Sequence, residues 1–270
     1  MDSMKDPDQK PEVLRRYSPR LARWFAHWLR GYFRRNFNGV RTSLAGALPK
    51  VNDEPLIVYT NHPSWWDPIH FLLLASNTMP DRRMFGPFDA DALAKYRMFR
   101  RLGGFGVERS TRRGAVDFLV TSRAILATPG TSLWITAQGE FSDPRRRPVI
   151  LQPGLARLAR DLERGLVVPL AVEYPFWNER RPEALSYFGR PIRAGEAAEE
   201  SAEELNALLA RRLVETMNAL AEEAATRDPG RFGTVVLGRT GVGGVYDAGR
   251  RFKSWIFGRR FDSAHGDDRE

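Results

Sequence analysis

Between residues 56 and 172, short apolar runs alternate with stretches of helical periodicity, and few architectures accept that order. Residues 56–60 (Leu-Ile-Val-Tyr-Thr), 131–136 and 166–172 read as buried strands, and 83–88 as a further one. Residues 103–109 have strand character but carry Gly103, Gly104 and Gly106, and glycines in a strand mark a close backbone approach. Between these runs, residues 69–75, 89–101, 114–127 and 154–162 read as helices. In 114–127, Val116, Leu119, Val120, Ala124 and Leu126 recur at helix spacing. Strands that alternate with helices pair in parallel, and the crossover helices cover both sheet faces. The expected fold is α/β: a mostly parallel central sheet flanked by helices, with an N-terminal amphipathic helix and a basic C-terminal extension. The expected division is a disordered N-terminus over 1–13, the amphipathic helix over 14–49, the α/β domain over 50–227 and the extension over 228–270.

The flanks have their own character. Ser18-Pro19 is a helix start, with Ser as N-cap and Pro at the first helical position. Leu21, Trp24, Phe25, Trp28, Leu29, Tyr32 and Phe33 follow at spacings of three and four, opposite Arg20, Arg23, Arg30, Arg34 and Arg35. Such a helix either docks on the protein's own core or lies in a membrane interface, where Trp, Tyr and Arg are favoured. The aromatic content favours the interface, with Trp24 and Trp28 as contacts. After a helix whose apolar positions are Leu205, Leu208, Leu209, Leu213, Met217 and Leu220, the chain turns glycine-rich. It then becomes basic and aromatic over 250–261, which is either a second interfacial anchor or a solvated tail.

The formal net charge of +9 has two readings, an anionic partner (nucleic acid, acidic lipid or a phosphorylated substrate) or a solubilising surface, and charge alone does not choose between them. No helix-turn-helix, zinc or RNA-binding signature supports nucleic acid, and the basic residues accompany apolar faces instead. The absence of cysteine rules out disulfides, thiolate metal sites and a thiol nucleophile. Residues 1–11 are polar and mixed in charge, so no secretory leader is expected. No apolar run approaches the ~20 residues of a spanning helix.

Asn61-His62-Pro63-Ser64-Trp65-Trp66-Asp67 joins the first strand to its helix and holds one of the four histidines. Ligands bind at such turns in parallel sheets, beyond the carboxyl ends of the strands. Asp67 has two readings. With Ser64 it forms an acidic variant of a helix capping box. Alternatively it accepts a hydrogen bond from one imidazole nitrogen of His62, fixes the tautomer and leaves the other nitrogen as a base. With no Ser or Cys nucleophile nearby, a base of this kind would deprotonate a substrate hydroxyl. A metal centre is not expected, because His70, His27 and His265 do not sit at ligand spacing from His62 and Asp67.

Asn61-His62-(four residues)-Asp67 resembles the first motif of the glycerolipid and lysophospholipid acyltransferase superfamily, whose members include 1-acylglycerol-3-phosphate acyltransferases. Later segments follow the same order. Gly103 to Arg109 resembles the second block, a glycine with an arginine six positions on. Residues 136–142 (Thr-Ala-Gln-Gly-Glu-Phe-Ser) resemble the third, whose usual form is Phe-Pro-Glu-Gly-Thr-Arg-Ser. Residues 168–172 are similar to the fourth, apolar-Pro block, and 186–192 to the strand after it. The resemblance covers residues 55–192.

It implies an O-acyltransferase of lipid metabolism and phospholipid biosynthesis, peripheral on the cytoplasmic face of the inner membrane. Its partners would be a lipid acceptor, an acyl thioester donor and the membrane surface, with no nucleic acid. The co-substrate would be acyl-CoA or acyl-carrier protein, with no bound cofactor. On this resemblance His62 is the general base and Asp67 orients it. Asn61, Arg109, Gln138, Gly139 and Glu140 bind substrate, with Arg109 meeting an acceptor phosphate and donors near Gly139 the oxyanion. Arg109 also suits a surface ion pair with Glu108 or Asp117. Trp65 and Trp66 line an acyl groove or pack in the core. The third block departs from the pattern: Gln138 replaces a glutamate and Phe141 an arginine, with Arg145, Arg146 and Arg147 shortly after. The departure leads to an expected acceptor without glycerol-phosphate. It also motivates an alternative, a catalytically silent lipid-binding protein on the same fold.

Overall fold

The computed structural model describes residues 11–51, 53–109 and 111–238. The elements in chain order are α1 (Glu12–Arg16), α2 (Pro19–Asn36), β1 (Gly39–Ser43), β2 (Leu56–Thr60), α3 (Asp67–Thr78), β3 (Arg83–Asp89), α4 (Ala90–Lys95) and β4 (Gly104–Val107). They continue with α5 (Arg112–Leu126), β5 (Thr131–Thr136), α6 (Gly154–Arg160), β6 (Leu166–Glu173), β7 (Glu183–Phe188), β8 (Ile192–Arg193), α7 (Ala194–Glu199), α8 (Ala202–Ala225) and β9 (Phe232–Leu237).

The strands form one sheet in the order β4-β3-β5-β2-β6-β7-β1-β9, with β8 paired to β6. From β4 to β6 every pair is parallel, β7 and β1 run the other way, and β9 is antiparallel to β1. The mostly parallel sheet flanked by helices is therefore present. Alternate residues of β2 enter opposite cores. Ile57 and Tyr59 pack among residues of α6 and α8, whereas Leu56 and Val58 pack among residues of α3. Burial on both faces explains why β2 is apolar without a break. The Tyr59 hydroxyl donates to the Leu209 carbonyl of α8 at 3.0 Å, so even its polar end is satisfied inside. Gly103, at φ 101°, lies where a Cβ would come within 2.1 Å of the Met84 carbonyl oxygen, the close approach its strand foreshadows.

The register sets the site. Thr60 of β2 lies level with Thr136 of β5 and Leu170 of β6. Three adjacent strands thus release their chains at one edge, and residues 61–67, 137–142 and 173–174 emerge side by side.

Three expectations from the sequence are corrected. The helical flank before residue 50 also supplies β1, and residues 228–238 supply β9, so the sheet takes a strand from each flank. β1 reads as polar because Arg41 and Glu183 of β7 form a buried ion pair at 3.0 Å, joined by the Arg41 hydrogen bond to Thr234 at 3.1 Å. The apolar positions of α2 also divide. Phe25, Leu29 and Phe33 are buried against α3, β1 and β9, while Trp24 and Trp28 remain exposed. Arg30, from the cationic set, donates to the Val235 carbonyl of β9 at 3.3 Å. The disorder expected over 1–13 is corrected at its end, where α1 begins at Glu12 and Val13 is buried in the core. The expectations for residues 1–10 and for 239–270, with the basic aromatic segment, lie outside the described residues.

Candidate active site

His62 follows β2, and Asp67 is the first residue of α3. His62 Nδ1 lies 2.6 Å from Asp67 Oδ2, and the His62 side chain is 12% exposed while that of Asp67 is fully enclosed. Asp67 Oδ2 also accepts the Ser64 backbone N–H at 3.1 Å, and Oδ1 accepts the Tyr174 hydroxyl at 2.7 Å. Burial raises the Asp67 pKa, opposed by the hydrogen bonds from His62, Tyr174 and Ser64. Its place at the N-terminus of a twelve-residue helix favours the carboxylate further. Asp67 binding Nδ1 leaves Nε2 as the nitrogen available to a substrate. The capping-box reading is met by half: Asp67 reaches back to the Ser64 N–H, but Ser64 Oγ accepts the Trp66 N–H at 3.2 Å rather than that of Asp67, and Trp66 is the N-cap.

Residues 138–142 clamp His62 from the neighbouring strand. The His62 N–H donates to Gln138 Oε1 at 3.2 Å, and the His62 carbonyl accepts the Ser142 N–H at 2.9 Å. Because Gln138 accepts through Oε1, its Nε2 is the donor end of that side chain. The Phe141 ring lies on the imidazole with centroids 4.3 Å apart and is itself 61% exposed. Gly139 adopts φ 78°, which favours glycine, and its N–H is taken by the Thr136 carbonyl at 3.0 Å. That N–H is therefore engaged in the turn and not free for an oxyanion.

Asn61 is buried and makes a two-way bridge. Its Nδ2 donates to the Val172 carbonyl at 3.0 Å and its Oδ1 accepts the Val172 N–H at 2.9 Å. The side chain thus extends the ladder between β2 and β6 and anchors the turn, so its assignment to substrate binding is corrected.

A pocket of about 570 Å³ lies over the ends of β3, β4 and β5. Gln138, Gly139, Glu140 and Arg109 line it, together with Asp89 and Glu108; His62 and Asp67 do not, and Gln138 joins the pair to the pocket. Arg109 is paired with Asp89 at 3.1 Å, not with Glu108 or Asp117. Arg145 pairs with Asp143, and Arg147 with Asn218, so neither stands in for the cation missing at Phe141.

Trp65 is 59% exposed beside the pair. Its partner Trp66 packs on Phe37 at 4.8 Å and on Tyr32 at 5.6 Å, and Tyr32 stacks on Trp28 at 4.9 Å. A continuous aromatic line therefore runs from the His62 turn to the exposed side of α2. Among the described residues no helix is long and apolar enough to cross a membrane, and no cluster of His, Asp and Glu is suited to a metal ion.

Two residues here had no functional reading in the sequence. His70 is fully buried on α3, three positions past Asp67 and so on the same helix face, which is the one signal that could have drawn attention to it. Its Nδ1 lies 3.2 Å from the Tyr174 hydroxyl. Tyr174 is 107 positions from Asp67, and nothing local marks it.

Residues 40–173 match the Acyltransferase family. A crystal structure of the 1-acyl-sn-glycerophosphate (LPA) acyltransferase PlsC from Thermotoga maritima is similar at a TM-score of 0.48 and 15% identity, covering 77% of this chain and 80% of that one. No curated protein matches the sequence.

Proposed function

We propose, from the premise that the chain carries an acyltransferase-family domain over residues 40–173, that it is an O-acyltransferase moving an acyl group from a thioester to the hydroxyl of a lipid acceptor. The observation that carries this reading is the 2.6 Å contact from His62 Nδ1 to the enclosed Asp67 carboxylate, at the carboxyl edge of the sheet. His62 Nε2 takes the proton of the acceptor hydroxyl as its oxygen attacks the thioester carbonyl. The tetrahedral oxyanion collapses, the new C–O bond is kept, the C–S bond breaks, and the proton passes to the leaving thiolate. The Gln138 Nε2 amide is the donor suited to the oxyanion, because a glutamate at that position could not donate. Acyl-CoA and acyl-carrier protein both supply the thioester this step needs.

Three carboxylates line the pocket with Arg109, which is already paired with Asp89. That balance, with Phe141 over His62, supports an acceptor without a phosphate near the reacting hydroxyl. The aromatic line to Trp28 supports peripheral attachment, with the base at the interface of the cytoplasmic face of the inner membrane.

The test is acyl transfer by purified protein to a panel holding lysophosphatidic acid and neutral hydroxylated lipids. His62→Ala is expected to lower transfer by about 10²–10⁴-fold, the usual contribution of a general base. Undiminished transfer in that variant overturns the mechanism. Efficient, selective use of lysophosphatidic acid overturns the acceptor assignment and leaves the mechanism standing.

A further inference from the structure

We propose that Tyr174 and His70 are positioning residues for the His62–Asp67 pair, forming a buried hydrogen-bonded line that holds the Asp67 carboxylate from the side away from His62. The proposal rests on the reading of His62 as the base.

Donor and acceptor counting fixes the direction of the line. An ionised carboxylate only accepts, so the Tyr174 hydroxyl donates to Asp67 Oδ1 at 2.7 Å. The Tyr174 oxygen, 3.2 Å from His70 Nδ1, then accepts, and His70 must carry its proton on Nδ1. Its Nε2 is left bare, and that atom is buried with no hydrogen-bond partner. A buried polar atom without a partner is costly, so its presence here calls for a compensating role at the other nitrogen. The ring is held by aromatic neighbours, with Phe33 at 5.8 Å and Phe71 at 6.5 Å between centroids.

Neither residue can trade protons with Asp67. Burial lowers the pKa of His70 to about 3, so it stays neutral. Burial, with the Asp67 charge beside it, raises that of Tyr174 well above the phenol value, so it keeps its proton. The line donates without transferring, and its effect is to stabilise the anionic carboxylate in one orientation. The titratable groups facing Asp67 are His62 from the turn before α3 and Tyr174 from the segment after β6. The polar group facing His70 is the Tyr174 hydroxyl.

Proton abstraction needs His62 with Nε2 unprotonated and Asp67 as the carboxylate, which is the pair's anionic state. The Tyr174 hydrogen bond favours the pair's anionic state, so removing it makes the pair hold its proton more tightly. The form competent as a base then appears only at higher pH. A side chain that merely filled space would change the rate without moving this limb.

The experiment compares Tyr174→Phe, His70→Asn and His70→Phe with the wild type and His62→Ala. It uses pH profiles of acyl transfer and, independently of activity, NMR titration of the imidazoles. Tyr174→Phe keeps the ring and loses only the hydroxyl. It is expected to lower kcat about 10–100-fold, the order found when an outer partner of a site ligand is removed. KM should stay within about twofold, and the acidic limb and the NMR midpoint of the pair should move up by about one pH unit, the scale of one strong hydrogen bond to a carboxylate. His70→Asn, whose amide can donate in place of Nδ1–H, should stay close to wild type, while His70→Phe should move towards Tyr174→Phe. An unmoved limb and midpoint in Tyr174→Phe overturn the proposal, as does equal damage by His70→Asn and His70→Phe. Full transfer by His62→Ala overturns the base assignment instead, and the NMR midpoints still decide whether the line acts on the pair.

Discussion

His70, at 0% exposure with one ring nitrogen bare, is tolerated only as a neutral imidazole, and this gives stability a pH dependence of known sign. Its folded pKa of about 3 lies below the ordinary 6.5, so between these values the unfolded chain binds a proton that the native state refuses. The His70 contribution to stability is therefore present above about pH 6.5 and is lost as the pH drops towards 3, by at most about 1.4 kcal/mol per pH unit. Asp67 and Glu173, whose pKa values burial raises, act in the opposite direction near the usual carboxylate range. His70→Asn removes the titrating imidazole, so its unfolding free energy should fall less steeply than wild type between about pH 6.5 and 4. Urea titrations over that range check this, and parallel slopes would contradict a buried neutral His70. Asn61 offers a second check at this scale. Asn61→Ala leaves the Val172 backbone N–H and carbonyl without these partners, a loss of about 1–3 kcal/mol. The same substitution should reduce transfer through the displaced turn rather than through lost substrate affinity, so kcat should fall more than KM rises. His62 and Asp67 were legible as a pair because they sit five residues apart on one turn. Tyr174 was not, since its partnership is created by the parallel pairing of β2 with β6.

Among the elements, α2 presents two faces, one buried in the core and one that leaves Trp24 and Trp28 exposed. Phe25, Leu29 and Phe33 belong to the core, and full burial of each such side chain stabilises the fold by about 1.5–3 kcal/mol. Deleting the helix would therefore confound membrane binding with unfolding. Trp24→Ser with Trp28→Ser leaves those three side chains in place. This double variant should reduce flotation with anionic vesicles while its thermal midpoint stays within a few degrees of wild type. Binding should be only partly sensitive to salt, because exposed charge contacts are screened and apolar insertion is not. Undiminished flotation would contradict attachment through α2. The helix itself was plain in the sequence, from its Ser18 cap to its three-and-four spacing. How its apolar face divides was not, because periodicity marks which residues share a face without saying what covers each one.

In the whole molecule, the central strands and the flanks contribute differently. β9 is the edge strand beside β1, and it closes a sheet whose other members come from residues 39–193. A chain ending at residue 227 loses Phe232 and Val236 from the core and uncovers the β1 edge. It should be less stable and prone to association, whereas a chain ending at residue 238 keeps all nine strands of the described residues. Soluble yield and light scattering of the two truncations would show the difference, and equal behaviour would mean that β9 adds little.

The sequence by itself determined the alternating α/β plan, the turn that carries His62 and Asp67, and the blocks that resemble an acyltransferase. Each of these is written in local periodicity or in residues a few positions apart. The tertiary structure alone decided that β1 and β9 join the sheet, since the burial of Arg41 depends on Glu183, 142 positions away. It also decided that Arg109 pairs with Asp89, that Gln138 and Ser142 clamp the His62 backbone, and that Tyr174 and His70 stand behind Asp67. Those contacts follow from strand register, which brings distant carboxyl ends level at one edge of the sheet, and register is a property of the assembled sheet rather than of any one segment.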